Sequence, residues 1–339
     1  MKTGIVGTGM IVREFLEHLH GMEGLELRAI CGTPRREADL RELSARYGIA
    51  GWYTDYEKML RDGTVEAVYV AVPNHLHFEF CQKAIQAGKH VVCEKPLTSN
   101  VREAAELDRL ARERGTILLE AVTTRYLPNT RRIKSCLPEL GRIRIVTANY
   151  SQYSSRYDAF CRGEVLPAFD PHRSGGALMD LNIYNIDLAA ELFGAPEQVY
   201  YAANVERGID TSGILTMNYG SFQCVCIGAK DCRAPVFTCI QGDRGCICIT
   251  SPVNELSSYE LYRNEDQTGR TTVHGSGVRY DYNGGKHRMY HEFREFIRIV
   301  DEKDQEYAQR MMETTLITMD IQTRARQTAG IVFDHDAVR

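Results

Sequence analysis

The sequence predicts an α/β protein with two domains, and three observations lead to this assignment. The first 121 residues alternate between short apolar runs and amphipathic segments, which is the pattern of a parallel sheet covered by helices. After Gly194, short apolar runs separated by turn residues are typical of an antiparallel sheet of hairpins. The chain of 339 residues is long enough for two hydrophobic cores. We therefore predict domains at residues 1–121 and 122–339.

Composition and charge exclude several classes of partner. The chain has 41 basic and 45 acidic residues without a long run of one sign, so we predict no nucleic-acid partner. No apolar run reaches the length of a transmembrane helix, and the chain opens on a strand and a turn instead of a secretory signal. We therefore predict a cytoplasmic protein with no membrane partner and a small-molecule substrate.

The eleven cysteines are scattered along the chain, and several lie inside apolar runs. This placement suits small buried side chains in a reducing compartment. Cys224 and Cys226 are two residues apart, as are Cys246 and Cys248, so each pair would lie on one face of a strand. Zinc knuckles favour wider spacings, and we therefore predict no metal site.

The chain begins with a strand, a tight turn and a helix. Residues 3–7, TGIVG, predict the strand. A helical stripe follows at a spacing of four, formed by Ile11, Phe15 and Leu19. In the turn Gly7-Thr8-Gly9, the first glycine permits the sharp bend and the second lets backbone amides approach a pyrophosphate at the helix N-terminus. Val12 stands where a third small residue is usual, so an incidental glycine turn is the alternative to a dinucleotide site.

Strands and helices then alternate to residue 121. The predicted strands are LELRAIC (25–31), VEAVYVAV (65–72), the run that ends at Glu94, and TILLEA (116–121). The predicted helices are closed by Gly48, Gly88 and Gly115, and Asn100 with Glu103 resembles a capping box at the start of the last one. This alternation builds a parallel sheet.

The residues after the second strand bear on the choice of dinucleotide. An acidic residue there accepts the ribose hydroxyls and repels a 2′-phosphate. The chain has Gly32 and Thr33 at that point, and Thr33, Arg35 and Arg36 can hold a phosphate by charge-assisted hydrogen bonds. We therefore predict that NADP is preferred to NAD. The alternative is that the arginines only start a helix in solvent.

The run VVCEKP, Val91–Pro96, predicts an apolar strand that is followed directly by the charged residues Glu94 and Lys95. A lysine at the carboxyl end of a parallel strand stands where open α/β sheets bind ligands, and the proline turns the chain away there. Lys95 is therefore the candidate centre of an active site.

A second motif, GGALMDLNIYNID, covers Gly175–Asp187. Asp180 and Tyr184 are four residues apart on what we predict to be one helix, so both can face the same cleft. His172, in a loop ahead of the motif, can contact substrate or act as a second acid or base, although a lone loop histidine is more often a surface residue. Three further candidates for lining the cleft follow the last strand of the first domain, namely Glu120, Arg125 and Tyr126.

The rest of the second half supplies a helix near residues 129–137, a strand near 142–150, and helices over 291–300 and 307–327. The hairpin strands are predicted at GILTMNY (213–219), FQCVCIG (222–228), VFTCIQG (236–242) and GCICIT (245–250). Because these strands alternate in polarity, one face of their sheet is left to meet a symmetry mate. We therefore predict a homodimer or a higher homo-oligomer.

Together these residues resemble the Gfo/Idh/MocA family of nicotinamide-dependent oxidoreductases. The matching pieces cover nearly the whole chain and are GTGMIV (7–12), VAVPNHLH (70–77), AGKHVVCEKPL (87–97) and GGALMDLNIYNIDLAAELFG (175–194). The resemblance implies an N-terminal Rossmann domain that binds NAD(P), followed by an α+β domain on a large, mostly antiparallel open sheet that commonly makes oligomer contacts. We predict cofactor contacts from Gly7, Thr8, Gly9, Met10, Ile11, Thr33, Arg35, Arg36, Pro73, Asn74, His77, Glu94 and Lys95.

The resemblance also implies a catalytic set, made of the lysine of E-K-P and the aspartate and histidine of a D-x-G-x-H motif. These positions hold Lys95, Asp180 and Tyr184. The tyrosine replaces the histidine, as in the branch similar to glucose-fructose oxidoreductase and dihydrodiol dehydrogenase, and Asn182 replaces the glycine.

Hydride transfer from a carbinol carbon requires a base for the hydroxyl proton and an electrostatic partner for the developing alkoxide. Tyr184 suits the first role, because a nearby ammonium such as that of Lys95 lowers the tyrosine pKa from its usual ~10. Asp180 would bind a neighbouring hydroxyl or orient the lysine. The alternative is that Asp180 is a structural cap and Tyr184 a core aromatic residue.

Three functions are compatible with these motifs. The first is an NAD(P)-dependent oxidoreductase acting on a sugar, polyol or related hydroxyl or carbonyl compound. The second is an enzyme that oxidises a glycoside transiently to eliminate a substituent without net cofactor turnover. The third is a non-catalytic nucleotide-binding sensor.

Overall fold

The computed structural model describes residues 1–264 and 277–336 and divides the chain into two compact units. The first unit comprises Met1–Ala121 with Met289–Met319, and the second comprises Val122–Arg288 with Asp320–Arg339. The sequence predicted one unbroken second domain from residue 122 to the end. In the structure, residues 289–319 instead return to the first unit.

Strands and helices alternate along the first unit. The strands are β1 (Lys2–Val6), β2 (Glu26–Cys31), β3 (Gly51–Tyr53), β4 (Ala67–Val70), β5 (His90–Glu94) and β6 (Leu118–Ala121). The helices are α1 (Met10–Leu19), α2 (Glu37–Tyr47), α3 (Tyr56–Leu60), α4 (His77–Gln86), α5 (Val101–Arg114), α11 (Arg288–Glu302) and α12 (Gln305–Thr328), the last of which continues into the second unit.

The described strands of the first unit form a six-stranded sheet in the order β3-β2-β1-β4-β5-β6, and every pair is parallel. The predicted parallel sheet is thus confirmed. The strand order reverses between β1 and β4, which creates the switch point where doubly wound sheets bind ligands. All four residues of β4 are buried, as expected for a central strand with both faces covered.

Local signals place the helix ends of this unit. Gly48 and Gly115 adopt the left-handed conformation, with φ of +64° and +66°, and end α2 and α5 as predicted. The predicted cap at Asn100 is confirmed, because its side-chain oxygen accepts a hydrogen bond from the Glu103 N–H at 3.1 Å. Glu103 in turn accepts from the Ser99 N–H at 3.2 Å.

Aromatic packing explains why α11 belongs to the first unit. The Phe293 ring lies 4.6 Å from that of Phe15 and 5.2 Å from that of Tyr69, measured between ring centroids. The terminal ammonium of Met1 also lies 2.9 Å from the Asp301 carboxylate. Because these contacts join residues more than 220 positions apart, no local pattern predicts them.

The second unit is built on a larger sheet. Its strands are β7 (Ile143–Ser151), β8 (Gln198–Glu206), β9 (Ile209–Asn218), β10 (Gln223–Ala229), β11 (Phe237–Gly242), β12 (Gly245–Ile249), β13 (Tyr259–Arg263) and β14 (Val278–Tyr280). Its helices are α6 (Thr123–Tyr126), α7 (Pro128–Cys136), α8 (Tyr157–Cys161), α9 (Ala177–Asp180) and α10 (Asn182–Phe193).

The described strands of this sheet run in the order β14-β13-β12-β11-β7-β10-β9-β8. Neighbouring strands are antiparallel except β7 and β10, which pair in parallel. The predicted mostly antiparallel sheet is therefore confirmed, with one parallel pair that the hairpin pattern did not indicate.

The two faces of the sheet differ in burial. Helix α10 packs on one face, where side chains such as Cys224 and Cys226 are almost fully buried. The opposite face leaves large apolar side chains exposed by 38% to 60%, namely Phe237, Ile145, Ile214 and Tyr200. Among the described helices of the chain, none combines the length and the apolar character that a bilayer crossing requires.

Candidate active site

The glycine turn after β1 is shaped by close backbone packing. Gly7 has φ of +126°, and a Cβ atom there would lie 2.2 Å from the Ala71 carbonyl oxygen, so only glycine fits. Among the described residues, no heavy atom lies within 4 Å of a Cβ placed on Gly9 and no side chain caps α1. The amides at this helix N-terminus therefore fit an anionic group such as a pyrophosphate.

The other predicted cofactor contacts lie in loops at the carboxyl ends of neighbouring strands. Thr8 belongs to the turn after β1, and Met10 and Ile11 begin α1. Pro73 and Asn74 lie in the loop after β4, where Asn74 starts a short 3₁₀ helix. Since β1, β4 and β5 are adjacent, the first unit brings these residues and Lys95 to one edge of its sheet.

The loop after β2 presents positive charge to solvent. Thr33 is followed by the 3₁₀ helix Pro34–Arg36, and the side chains of Thr33, Arg35 and Arg36 are exposed. The Arg36 guanidinium lies 2.9 Å from the Asp39 carboxylate. Exposed ion pairs of this kind contribute only about 0.2–1 kcal/mol, so a phosphate can compete for the arginine.

The loop that carries Lys95 is anchored on both sides. The Glu94 carboxylate accepts hydrogen bonds from the Tyr69 hydroxyl at 2.5 Å and from the Lys95 N–H at 3.3 Å. The Lys95–Pro96 peptide bond is cis. The ring nitrogens of His77 lie 2.7 Å from the Pro96 carbonyl oxygen and 2.8 Å from that of Val72.

His77 is therefore a brace between two loops. Its ring is 1% exposed, and burial lowers the pKa of His77 below its ordinary value. We predicted a contact between His77 and the cofactor, but its ring nitrogens face protein carbonyl groups.

Glu120 is a buried carboxylate that supports the same loop. It is fully buried on β6, where one oxygen accepts from the Leu97 N–H at 2.8 Å and the other from the Thr315 hydroxyl at 2.9 Å. This residue ties the chain that follows Lys95 to α12.

In the second unit, Asp180 is held by a lysine that the sequence analysis did not identify. The Lys230 ammonium donates to an Asp180 carboxylate oxygen at 2.6 Å and to the Ala168 carbonyl at 3.2 Å, and it lies 4.9 Å from the centroid of the Phe169 ring. The Lys230 side chain is 3% exposed, whereas that of Asp180 is 37% exposed. The carboxylate is therefore fixed from its protein side while it remains open to solvent.

A buried carboxylate also caps the helix that carries Asp180. Asp210 accepts from the Leu178 N–H at 2.7 Å and from the Tyr201 hydroxyl at 2.8 Å. Gly176 has φ of +100°, and a Cβ atom there would lie 2.1 Å from an Asp210 oxygen, so this approach requires glycine. Burial raises the pKa of Asp210 to about 6.

Asp180 and Tyr184 do not share one continuous helix, contrary to the sequence prediction. Asp180 ends α9, Leu181 lies between the two helices with φ of −106° and ψ of −48°, and α10 begins at Asn182. Tyr184 is 8% exposed, and its ring centroid lies 5.9 Å from that of Tyr150 on β7.

Asn182, which replaces the glycine of the motif, attaches α10 to the sheet. It is fully buried, its side-chain amide donates to the Cys226 carbonyl at 3.1 Å, and its oxygen accepts from the Asn185 amide at 2.9 Å. A Cβ atom on Gly228 would lie 2.7 Å from the Asn182 Cβ, so the strand accommodates the asparagine through a glycine of its own.

Three other predicted substrate contacts have different surroundings. The Arg125 guanidinium pairs with the Asp187 carboxylate in the core, where both side chains are fully buried. Tyr126 is 1% exposed. His172 lies at the surface 2.9 Å from Asp334, which raises the pKa of His172 above its ordinary value. In the structure, Arg125 thus belongs to an ion pair in the core, and His172 belongs to an ion pair at the surface.

Comparisons with known proteins agree with this architecture. Residues 1–122 match the family described as "Oxidoreductase family, NAD-binding Rossmann fold", and residues 137–248 match the "GFO/IDH/MocA C-terminal domain". The chain is 34% identical over 339 residues to scyllo-inositol 2-dehydrogenase (NADP(+)) IolU of Bacillus subtilis (strain 168), covering 99% of each protein. It is 30% identical over 234 residues to trans-1,2-dihydrobenzene-1,2-diol dehydrogenase of Macaca fascicularis, covering 66% of this chain and 68% of that protein.

Among solved structures, that of KijD10, a 3-ketoreductase from Actinomadura kijaniata in complex with NADP and TDP-benzene, superposes with a TM-score of 0.80. The two chains are 22% identical, and the match covers 97% of each. This likeness shows that they share a fold.

Proposed function

The chain belongs to the Gfo/Idh/MocA family of NAD(P)-dependent oxidoreductases, and we propose that it transfers a hydride between NADP and a CH–OH or carbonyl group of a sugar or polyol. The observation that carries this proposal is the anchored lysine loop. Lys95 follows β5 beside the switch point of the parallel sheet, between a hydrogen-bonded Glu94 and a Pro96 carbonyl in contact with buried His77. Such a position suits a charge that must act on a ligand.

In this proposal the first unit binds the nucleotide and the second binds the substrate. The nicotinamide supplies or accepts the hydride when it is bound. Tyr184 holds and moves the proton of the reacting hydroxyl, and Lys95 supplies the positive charge that stabilises an alkoxide and favours the phenolate. The 8% exposure of Tyr184 limits the access of water to its hydroxyl-bearing ring.

Asp180 orients the substrate in this scheme. Its carboxylate is bound by Lys230 through a charge-assisted hydrogen bond of 2.6 Å, and 37% of its side chain stays exposed. A carboxylate oriented in this way can accept a hydrogen bond from a substrate hydroxyl next to the reacting carbon.

Two observations support NADP over NAD. The loop after β2 has Gly32 and Thr33 where an acidic residue would repel the 2′-phosphate, and it exposes Arg35 and Arg36. The Bacillus relative, identical at 34% of positions, is named as an NADP(+) enzyme that acts on scyllo-inositol, a polyol. The dihydrodiol dehydrogenase relative also acts on a vicinal diol, according to its name.

We further propose a homodimer or a higher homo-oligomer that pairs the part of the exposed sheet face formed by β7, β10, β9 and β8. Support comes from the apolar side chains of that face, with Ile145, Ile214 and Tyr200 exposed by 45%, 47% and 60%. Light scattering that shows only 38.4 kDa particles at micromolar concentration would contradict this assembly.

We also propose that the protein is located in the cytoplasm. The buried thiols of Cys31, Cys81 and Cys93 support this location, because thiols stay reduced in that compartment.

The test of the proposed activity is a spectrophotometric assay with NADP⁺ and with NAD⁺ across a panel of inositols, other polyols and aldoses. We expect reduced cofactor to accumulate in proportion to oxidised product, with NADP⁺ the better cofactor. Product formed without net cofactor reduction would favour the eliminating enzyme. Tight cofactor binding without turnover on any compound of the panel would favour the sensor.

A further inference from the structure

Three cysteine side chains meet on the exposed face of the second unit's sheet. Cys239 on β11 pairs in register with Cys248 on β12, and Cys246 precedes Cys248 by two residues on the same face. The Cys239 and Cys248 sulfur atoms lie 3.5 Å apart, and all three sulfurs lie within 4.8 Å of one another. We call Cys239, Cys246 and Cys248 the three-cysteine cluster.

These separations match a metal ion bound by thiolates. A Zn–S bond is about 2.3 Å long, so three sulfurs around one ion lie roughly 3.8–4.0 Å apart. Each member of the cluster is partly exposed, so an ion can enter with little rearrangement of the backbone. Thiolate ligands select soft ions, above all Cu⁺ and Zn²⁺.

The neighbouring strand adds negative charge beside the cluster. Glu260 on β13 pairs in register with Cys248, and Tyr262 pairs with Cys246. The Tyr262 hydroxyl donates to the Glu260 carboxylate, which holds that carboxylate on the same strand face. An anion at this place lowers the electrostatic free energy of a cation bound to the sulfurs.

We propose that the three-cysteine cluster is a binding site for a thiophilic metal ion of the Zn²⁺ or Cu⁺ class. Cu⁺ is satisfied by three sulfurs, whereas Zn²⁺ adds a water molecule as its fourth ligand. Binding replaces the thiol protons by the ion and releases them to solvent, without oxidation or reduction. The ion ties β11 to β12 and so stabilises the hairpin.

The sequence pattern did not reveal this site because it lacks a zinc-knuckle spacing. Cys246 and Cys248 alone offer two ligands, and the third lies seven positions before Cys246, across the hairpin. Only the pairing of β11 with β12 places Cys239 opposite Cys248. A disulfide between those two is the competing reaction, but it would leave Cys246 without a role and would require the sulfurs to approach to about 2.05 Å.

The direct test is titration of the intact, reduced protein with Cd²⁺ as a spectroscopic probe, followed by competition with Zn²⁺ and with Cu⁺. We expect one Cd²⁺ per chain, an ultraviolet thiolate-to-metal absorption, and a rise in thermal midpoint. Cys248→Ser should lower the affinity at least tenfold, and the triple serine variant should lose the absorption. The matched controls Cys161→Ser and Cys232→Ser, at exposed cysteines outside the cluster, should retain it.

A second measurement does not depend on variants. Bound Cd²⁺ should protect the three cluster thiols from alkylation in the unmodified protein, while Cys161 and Cys232 still react, as read by peptide mass spectrometry. Absorption that persists in the triple variant, or alkylation of the cluster unchanged by Cd²⁺, would overturn the proposal. A Cys239–Cys248 disulfide that forms in air while Cd²⁺ fails to bind reduced protein would assign the cluster to redox chemistry instead.

Discussion

Lys230 offers the sharpest test of how the second unit prepares the substrate site. We consider Lys230→Met, which keeps the length of the side chain and removes its charge. The ammonium makes a 2.6 Å hydrogen bond to Asp180 and a 3.2 Å hydrogen bond to the Ala168 carbonyl. A hydrogen bond to a charged group contributes about 1.5–3 kcal/mol, and the exposure of Asp180 reduces this value because water replaces part of the interaction.

We therefore expect a loss of about 1–2 kcal/mol of transition-state stabilisation, which corresponds to a decrease of roughly 5–30-fold in kcat/KM. The measurement is steady-state kinetics with NADP⁺ and the best polyol substrate, together with cofactor titration. Cofactor affinity should stay unchanged, because Lys230 belongs to the second unit. The acid limb of the activity profile should move to higher pH, since the charge that favours an ionised carboxylate is gone.

The matched control is Lys134→Met, which removes a lysine of the same unit from a 2.7 Å ion pair with Glu191 at a half-exposed position. Surface pairs contribute little, so this variant should keep its kinetics and its pH profile. Unchanged kcat/KM and an unchanged acid limb in a folded Lys230→Met protein would refute the role assigned to Lys230. Partial recovery in Lys230→Arg would support the positioning of Asp180 by charge.

Three further predictions concern both units. Tyr184→Phe should lower kcat by about 10²–10⁴-fold without changing cofactor affinity. In steady-state assays, the double variant that also carries Lys95→Ala should have a kcat only slightly lower than that of Tyr184→Phe. Full activity of the single or the double variant would contradict the joint role of the two residues. Replacing Arg35 and Arg36 by alanine should weaken NADP binding by about 1.5–3 kcal/mol in calorimetry, whereas an equal loss for NAD would mean that neither arginine recognises the 2′-phosphate. Burial raises the pKa of Asp210 from 3.8 to about 6, so the folded state binds this proton more tightly. The free energy of unfolding should therefore fall as pH rises through this interval, and Asp210→Asn should flatten that part of a denaturation profile; an unchanged slope would assign it to other groups.

Much of the first unit could be predicted because its signals are local. Glycines with positive φ end α2 and α5, and the side chain of Asn100 caps the start of α5, so a few adjacent residues determine each of these helix ends. The same reasoning missed β3 and α3, since the three residues of β3 are too few to show a period. The packing of α11 on the first unit depends on the contact between Phe293 and Phe15, and a contact between residues so far apart cannot be predicted from a local sequence pattern.

In the second unit, local sequence patterns did not predict the helix break and the core ion pair. Nothing between Asp180 and Tyr184 is a glycine or a proline, yet α9 ends at Asp180 and α10 begins at Asn182, whose side chain hydrogen-bonds to the Cys226 carbonyl on β10. The charges of Arg125 and Asp187 are visible in the sequence, but their pairing across 62 residues in the core is not. A charged residue near a predicted cleft can thus be part of the core.

Lys230 differs from these cases, because the sequence carried a signal for it. β5 is a mostly apolar strand that ends at Glu94 and is followed by Lys95, and this pattern identified Lys95 as a candidate. β10 is likewise an apolar strand, and Lys230 follows it directly. A lysine at the end of an apolar strand must find an anion, a carbonyl group or solvent. Lys230 is 3% exposed and reaches both Asp180 and a carbonyl group. An apolar strand followed directly by a lysine therefore marks Lys230 as it marks Lys95, whereas the pairing of Lys230 with Asp180 is shown only by the structure.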